Sequence, residues 1–69
     1  MISGKHLQEQ RLKKGKTQVE MAELLGVKLR AYQYYESEGR NPTLDNLVAL
    51  ADYFGVTTDY LLGRTDNPK

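Results

Sequence analysis

The chain has 69 residues and a formal net charge of +1. This length predicts one small domain whose core is marginal in size. It has no cysteine and one histidine, which excludes a disulfide framework, a thiolate metal site and a histidine metal cluster. No apolar run approaches the roughly 18 residues that a membrane span needs, and the N-terminus lacks a signal-peptide pattern, so we expect a cytoplasmic protein without membrane contact.

The charges are unevenly distributed along the chain. Residues 1–40 carry eight lysines and arginines against five glutamates, whereas residues 41–69 carry two basic side chains against four aspartates. The two parts therefore have net charges of +3 and −2. This division is typical of a protein that turns one face toward a polyanion, but chance asymmetry on a solvated surface explains it equally well.

The first predicted helix covers about residues 3–14. Leu7, Arg11 and Leu12 are assigned to one face of this helix by their spacing. Gly15 follows it and supplies a residue that can end a helix in the left-handed conformation. No sustained alternation of apolar and polar residues predicts a strand anywhere in the chain.

The second predicted helix begins at Thr17, because Thr17 and Glu20 have the spacing of a capping box. Its predicted buried side is formed by Met21, Ala22 and Leu25. The small side chain of Ala22 allows a second helix to cross closely, and Gly26 allows a sharp turn.

The third predicted helix covers residues 28–37. Its predicted inward side is formed by Ala31, Tyr32 and Tyr35, and its outward side by Arg30, Gln33, Tyr34 and Ser37. Lys28 is unfavourable at a helix N-terminus, where the dipole opposes a cation. Either this lysine reaches a phosphate, or another group caps the helix and the lysine is idle.

A turn at residues 38–42 precedes a fourth helix that Thr43 caps and that runs to about Phe54. Its apolar stripe is formed by Leu44, Leu47, Leu50, Ala51 and Phe54. Thr57 caps a short fifth helix. The sequence therefore predicts an all-α domain of five helices over residues 1–64, with residues 65–69 as a tail or the start of a linker.

The second and third helices have the properties of a helix-turn-helix, in which one helix supports another in the major groove of DNA. That arrangement needs a small residue where the helices cross, a glycine at the turn, and polar or planar side chains projecting from the second helix. Ala22, Gly26 and the outward side of the third helix meet these needs in order.

The sequence resembles the lambda-repressor and Cro-like (XRE-type) helix-turn-helix regulators of bacteria and their phages. The resemblance covers residues 3–64. It depends on Arg11, KGKTQ (residues 14–18), MAELLGV (21–27), Tyr35-Glu36, Arg40 with Pro42, LDNLVALADYFGV (44–56) and DYLLG (59–63).

The resemblance implies a regulator, most simply a repressor, that binds a palindromic site on double-stranded DNA as a homodimer without a metal or small-molecule cofactor. It implies base reading by Leu29, Arg30, Gln33 and Tyr34. It implies contacts to the DNA backbone by Gln18, Lys28, Arg40 and Asn41. It further implies a structural ion pair of Arg11 with Glu36, and a dimer contact at Tyr60 and Leu61, although either of these two could be a core residue.

Three residues depart from the family pattern. Tyr32 stands where an aliphatic side chain is usual, Gln10 replaces a common leucine, and Glu38 replaces a common glycine at the end of the recognition helix. Glu38 places a negative charge near the expected path of the DNA backbone, so we expect a different orientation of that helix end.

The outward side chains also suggest which bases they contact. Arg30 suits guanine, Gln33 suits adenine and Leu29 suits a thymine methyl group. Tyr34 either contacts the DNA backbone or leans back on the protein, and a solvated Arg30 paired with a glutamate is the structural alternative. A helix-turn-helix module that mainly binds another protein, as an antitoxin or an anti-regulator adaptor does, is the competing function, and the low net charge favours it. The chain lacks a nucleophile–base pair and a phosphate-cradling glycine loop, so we expect no enzyme.

Overall fold

Five α-helices account for most of the chain in the computed structural model, which describes all 69 residues. The helices are α1 (Gly4–Lys13), α2 (Gln18–Leu25), α3 (Leu29–Ser37), α4 (Leu44–Phe54) and α5 (Thr58–Leu61). They surround a single core within extents of 28 × 23 × 19 Å. The predicted all-α, five-helix fold is confirmed. None of the helices is both long enough and apolar enough to traverse a lipid bilayer.

Four of the helices begin at a hydroxyl side chain that accepts a hydrogen bond from the backbone N–H three residues later. The capping residues are Ser3, Thr17, Thr43 and Thr57. These bonds satisfy amides that have no partner within the helix. At Thr17 the capping box is complete, because the Glu20 carboxylate also accepts from the Thr17 N–H at 2.9 Å. Only α3 begins without a side-chain cap.

The capping box predicts a stability contribution that depends on pH. The Thr17 backbone N–H, and secondarily the Thr17 side chain, lower the pKa of Glu20 below its usual range. A carboxyl with a lowered folded-state pKa stabilises the fold above its unfolded pKa and loses that contribution as pH falls through the folded value. We expect Glu20→Gln to lower the melting temperature slightly at pH 7, with a smaller difference from the parent at pH 3. Thermal melts of Glu23→Gln, at an exposed residue of α2, provide the control, and equal differences at both pH values would contradict the prediction.

The core is centred on Tyr32, whose side chain is fully buried, although the family resemblance implies an aliphatic residue there. The other fully buried large side chains are Ile2, Leu7, Met21, Leu50 and Leu61. Tyr35 packs its ring edge-to-face against that of Tyr32, with the ring centroids 6.1 Å apart. The aromatic substitution is therefore accommodated as core volume, and its hydroxyl reaches a hydrogen-bond partner at the edge of the core.

Two of the residues assigned to a helix face by their spacing are exposed. Leu12 is 61% exposed because it lies about 140° around α1 from Leu7, at roughly 100° per residue. Leu44 is 75% exposed although it lies on the apolar stripe of α4, because it is the first residue of that helix and no other element covers it. Periodicity therefore identified the correct side of α4 but not how far along the helix the neighbouring elements extend.

The beginning of α1 packs closely against the end of α3. Glu38 ends α3 in the left-handed conformation at φ 64°, a region that disfavours residues other than glycine. Its carboxylate accepts a hydrogen bond from the Gly4 N–H at 2.8 Å, so it places an acidic group at the N-terminus of α1, where the helix dipole favours one. The Glu38 carboxylate therefore bonds to the start of α1, which holds the end of α3 against that helix.

The last two residues of the chain, Pro68 and Lys69, lie against the loop between α4 and α5. The Pro68 carbonyl accepts a hydrogen bond from the Thr57 N–H at 3.0 Å. The Lys69 ammonium donates to the Gly55 carbonyl at 3.3 Å. The predicted tail therefore contacts the domain in this structure.

Candidate nucleic-acid interface

The turn between α2 and α3 has the geometry that its glycine predicts. Gly26 ends α2 with φ 68°, and the Val27 N–H donates to the Ala22 carbonyl at 3.0 Å. Lys28 is then extended, and α3 starts one residue later. Ala22 is buried at the base of this turn, where a larger side chain would separate the helices. The local sequence of the turn thus sets the direction of α3 relative to α2.

The outward side of α3 is exposed along its length. Leu29 is 39% exposed and Tyr34 is 38% exposed, and Arg30 and Gln33 are also on the surface. All four side chains assigned to base reading are therefore accessible, as a DNA-contacting face requires.

Glu36 lies on α3 beside the exposed side, where its side chain faces α1, and it joins three elements. Its side chain is only 5% exposed. Arg11 of α1 donates to it through Nε at 2.7 Å, and the Tyr32 hydroxyl donates to the same oxygen, Oε2, at 2.6 Å. Arg11 also donates to the Lys16 carbonyl at 2.9 Å. The ion pair that the family resemblance implies is thus a buried cluster that fixes α1, α3 and the segment before α2 together.

The Glu36 cluster shifts the protonation equilibria of its partners. The hydrogen bond from Arg11 to the Glu36 carboxylate raises the pKa of Arg11. Burial, and next the hydrogen bond to Glu36, raise the pKa of Tyr32. Both shifts keep Arg11 charged and Tyr32 neutral throughout the physiological pH range, so the cluster keeps one pattern of donors and acceptors.

Two glutamines extend this cluster to the exposed surface of α3. Gln18, the first residue of α2, donates through Nε2 to Glu36 Oε1 at 3.1 Å. Gln33 in turn donates through Nε2 to Gln18 Oε1 at 3.3 Å. The residue assigned to the DNA backbone and one assigned to base reading are therefore hydrogen-bonded to each other, which their separation in the sequence did not predict.

A shallow basin of about 390 Å³ lies beside the N-terminal half of α3. It is lined by Lys28, Arg30, Ala31, Tyr34 and Arg40. Three of these five residues are cations, and the Arg40 guanidinium stacks over the Tyr34 ring with its central carbon 5.2 Å from the ring centroid. The local surface is thus strongly basic although the net charge of the chain is only +1.

Sequence reasoning missed the contact between Tyr34 and Arg40. The Tyr34 ring lies against the guanidinium of Arg40 in the following loop. An aromatic residue of a helix followed six positions later by an arginine gives no signal on its own. The contact arises because the left-handed Glu38 turns the chain back along α3, where Gly39 donates to the Tyr34 carbonyl at 2.9 Å.

The remaining predicted site residues lie apart from the exposed side of α3. The Asn41 side-chain oxygen accepts from the Ile2 N–H at 2.8 Å, which leaves only its NH2 group available to another molecule. Tyr60 and Leu61 are buried in their own chain. The Tyr60 ring stacks on His6 with centroids 4.1 Å apart, and its hydroxyl accepts from Gln10 at 3.3 Å. Tyr60 and Leu61 are therefore core residues, as the alternative interpretation of the sequence had it. A dimer contact in this region would have to use their exposed neighbours.

The comparison with known families agrees with this geometry. A family model described as Helix-turn-helix matches residues 7–61. The chain belongs to the helix-turn-helix family. The match spans α1 to α5 and includes the Glu36 cluster and the exposed side of α3.

Several curated bacterial members of the helix-turn-helix family are similar to the chain. The HTH-type transcriptional regulator ImmR of Bacillus subtilis is 42% identical over all 69 residues, which cover 54% of ImmR. The cryptic phage CTXphi transcriptional repressor RstR of Vibrio cholerae is 43% identical over 58 residues, 84% of this chain and 52% of RstR. The regulator AnsR of B. subtilis is 47% identical over 58 residues, 84% of this chain and 50% of AnsR. The chain thus spans about half the length of these relatives. No solved structure gives a significant match.

Proposed function

We propose that the chain is a sequence-specific DNA-binding regulator, acting as a repressor that binds a palindromic operator as a homodimer. The observation that carries this proposal is the exposed side of α3, where base-reading side chains lie next to a basic basin. A helix of this width fits the major groove of B-DNA. The similar relatives named as transcriptional regulators and a repressor support the same function.

The base-reading role belongs to the exposed residues of α3. Arg30 has a guanidinium that can donate two hydrogen bonds to guanine O6 and N7, and Leu29 can contact a thymine methyl group. Gln33 presents an amide at the next turn of the helix. These three side chains differ in chemistry, which is what discrimination among base pairs needs.

The DNA backbone is bound by groups on both sides of that helix. Lys28 and Arg40 lie in the basic basin, and Arg40 is held in place by its stacking on Tyr34. Gln18 retains one N–H, and the Asn41 NH2 group is free, so both can donate to phosphate oxygens. We assign Tyr34 to supporting Arg40 and to contacts with the backbone beside the bases.

A twofold dimer would present two copies of α3 to successive turns of the major groove, about 10 base pairs apart. The dimer contact uses exposed residues near α5, since Tyr60 and Leu61 are buried. The proposed place of action is the bacterial cytoplasm, where the DNA lies.

The test is selection of bound duplexes from a random pool, followed by affinity measurements at several salt concentrations. We expect an enriched site of two inverted half-sites about one helical turn apart, and an affinity that falls steeply with the logarithm of salt concentration. A purified protein that enriches no sequence and binds no duplex at low ionic strength would refute the proposal. That result would favour the protein-interaction module, which the low net charge of +1 also permits.

Replacing Arg30 by alanine is expected to relax the preference at one base pair. The lost contact corresponds to about 1–3 kcal/mol of discrimination against the wrong base. Fluorescence anisotropy with duplexes that each carry one altered base pair measures this preference. Lys28→Ala is the matched control, because loss of a phosphate contact should weaken binding to every duplex and reduce the salt slope by about 1. Equal loss on all duplexes for Arg30→Ala would contradict its base-reading role.

A further inference from the structure

Glu36 determines which end of the Gln18 amide faces it. An ionised carboxylate only accepts hydrogen bonds, and Glu36 already accepts from Arg11 and Tyr32. Gln18 must therefore turn its NH2 group toward Glu36, as the 3.1 Å bond shows. Its carbonyl oxygen then faces away from the cluster.

The orientation of the Gln18 amide in turn fixes the orientation of the Gln33 amide. The outward oxygen of Gln18 needs a donor, and Gln33 supplies it through Nε2 at 3.3 Å. The Gln33 oxygen makes no bond within the protein, so it is free on the exposed side of α3. One buried carboxylate thus orients two amides in sequence, the second of which lies on the proposed DNA-contacting face.

We propose that Glu36 is a positioning residue for base reading, which acts through Gln18 so that Gln33 presents its carbonyl oxygen to the DNA. This inference rests on the proposed function. In the major groove, adenine N6 and cytosine N4 offer hydrogen-bond donors, whereas guanine and thymine offer only acceptors. The free oxygen of Gln33 therefore favours bases with an exocyclic amino group, adenine or cytosine, on the strand it contacts.

The orientation matters because a free glutamine amide adapts to either kind of base. An unconstrained Gln33 would turn its NH2 group toward guanine or thymine and its oxygen toward adenine or cytosine. The bond to Gln18 opposes that rotation before DNA arrives, which is preorganisation of the reading group. The Arg11–Glu36 pair fixes the position of the carboxylate that orients Gln18, since both side chains are at least nine-tenths buried.

The test compares duplexes selected by the parent protein with those selected by four variants. Gln33→Ala identifies the base pair that Gln33 contacts, because the preference there disappears. Gln18→Ala removes the connection between Glu36 and Gln33 but leaves the Arg11–Glu36 pair intact. Glu36→Gln replaces the acceptor-only carboxylate by an amide that can donate or accept, so the orientation of Gln18 is no longer fixed. Lys28→Ala is the control that loses a phosphate contact without touching the two glutamines.

We expect the parent to prefer adenine or cytosine over guanine or thymine at that position by about five-fold or more. Gln18→Ala should reduce this preference below about two-fold while the preferences at other positions remain, and Glu36→Gln should do the same if it folds. Lys28→Ala should weaken binding with the preference intact. The Gln18→Ala result decides the matter even when Glu36→Gln is unstable.

Two outcomes overturn the inference while leaving DNA binding in place. One is a parent that prefers guanine or thymine at the Gln33 position. The other is a Gln18→Ala variant that binds more weakly but keeps the full preference there, which would make Gln18 a phosphate contact only. A parent that enriches no duplex refutes the proposed function itself, and the inference with it.

Discussion

Replacement of Glu36 by alanine is expected to destabilise the fold by about 3–5 kcal/mol, the cost of leaving a buried charge without its partner. Arg11 would keep its charge, because its pKa lies far above neutrality, and would lose its only carboxylate partner. The Tyr32 hydroxyl and the Gln18 amide would lose their acceptor as well. Since a chain of this length has a total stability of about 4–10 kcal/mol, we expect a large fraction of the variant to be unfolded at 37 °C.

Urea denaturation followed by circular dichroism measures this effect. Glu9→Ala is the matched control, because Glu9 is an exposed glutamate on α1 and its removal should change stability by no more than about 0.5 kcal/mol. Tyr32→Phe removes one of the hydrogen bonds to Glu36 and keeps the ring. Its loss of stability should therefore lie between those of Glu9→Ala and Glu36→Ala. A Glu36→Ala variant within 1 kcal/mol of the parent, on the scale set by these controls, would mean that water enters the site and replaces the carboxylate.

The second large effect is expected for Gly4→Ala at the start of α1. Helix propensity alone would favour alanine over glycine there. However, a Cβ at this position would overlap the backbone carbonyl of Glu36, which cannot move aside as a side chain can. The start of α1 would have to shift, and the bond from the Gly4 N–H to Glu38 would be strained or lost. We expect a destabilisation of about 2–3 kcal/mol, typical of overpacking against a rigid neighbour.

Gly15→Ala separates this packing effect from a conformational one. Gly15 has φ 68° but open space around it, so alanine there should cost only the penalty of the left-handed conformation, about 1 kcal/mol. Thermal melts of both variants and the parent give the comparison. If Gly4→Ala melted at or above the temperature of the parent, helix propensity would outweigh the contact, and the close approach of α1 to Glu36 would be wrong.

Much of the fold could be predicted because its signals are local. The capping hydroxyls at Thr17, Thr43 and Thr57 act on amides three residues away, and the left-handed Gly26 ends its own helix. The predicted buried sides of α2 and α3 were correct at Met21 and Tyr32, because helical periodicity assigns a face whatever lies opposite. Leu12 was assigned to the wrong side of α1 by its spacing, whereas Leu44 is exposed because no neighbouring element covers it.

The exposed side of α3 could be predicted from the sequence, but the hydrogen bonds of its residues could not. Arg30 and Gln33 were assigned to the exposed side of α3 from spacing, and the structure places them there. The bond between Gln33 and Gln18 joins residues 15 positions apart, and the bond between Gln18 and Glu36 joins residues 18 apart. Contacts of that range depend on the angle at which α2 crosses α3, which periodicity within one helix does not contain.

The amino-acid sequence alone determined five helices, their caps, the sharp turn at Gly26 and the polar character of the outward side of α3. Each of these follows from interactions within about one helical turn. Only the tertiary structure decided that Glu38 caps α1, that Tyr34 supports Arg40 and that Glu36 orients two glutamines. Side-chain hydrogen bonds and ring contacts act over a few ångströms, so they exist only where packing of the core brings the helices to the correct distance and angle.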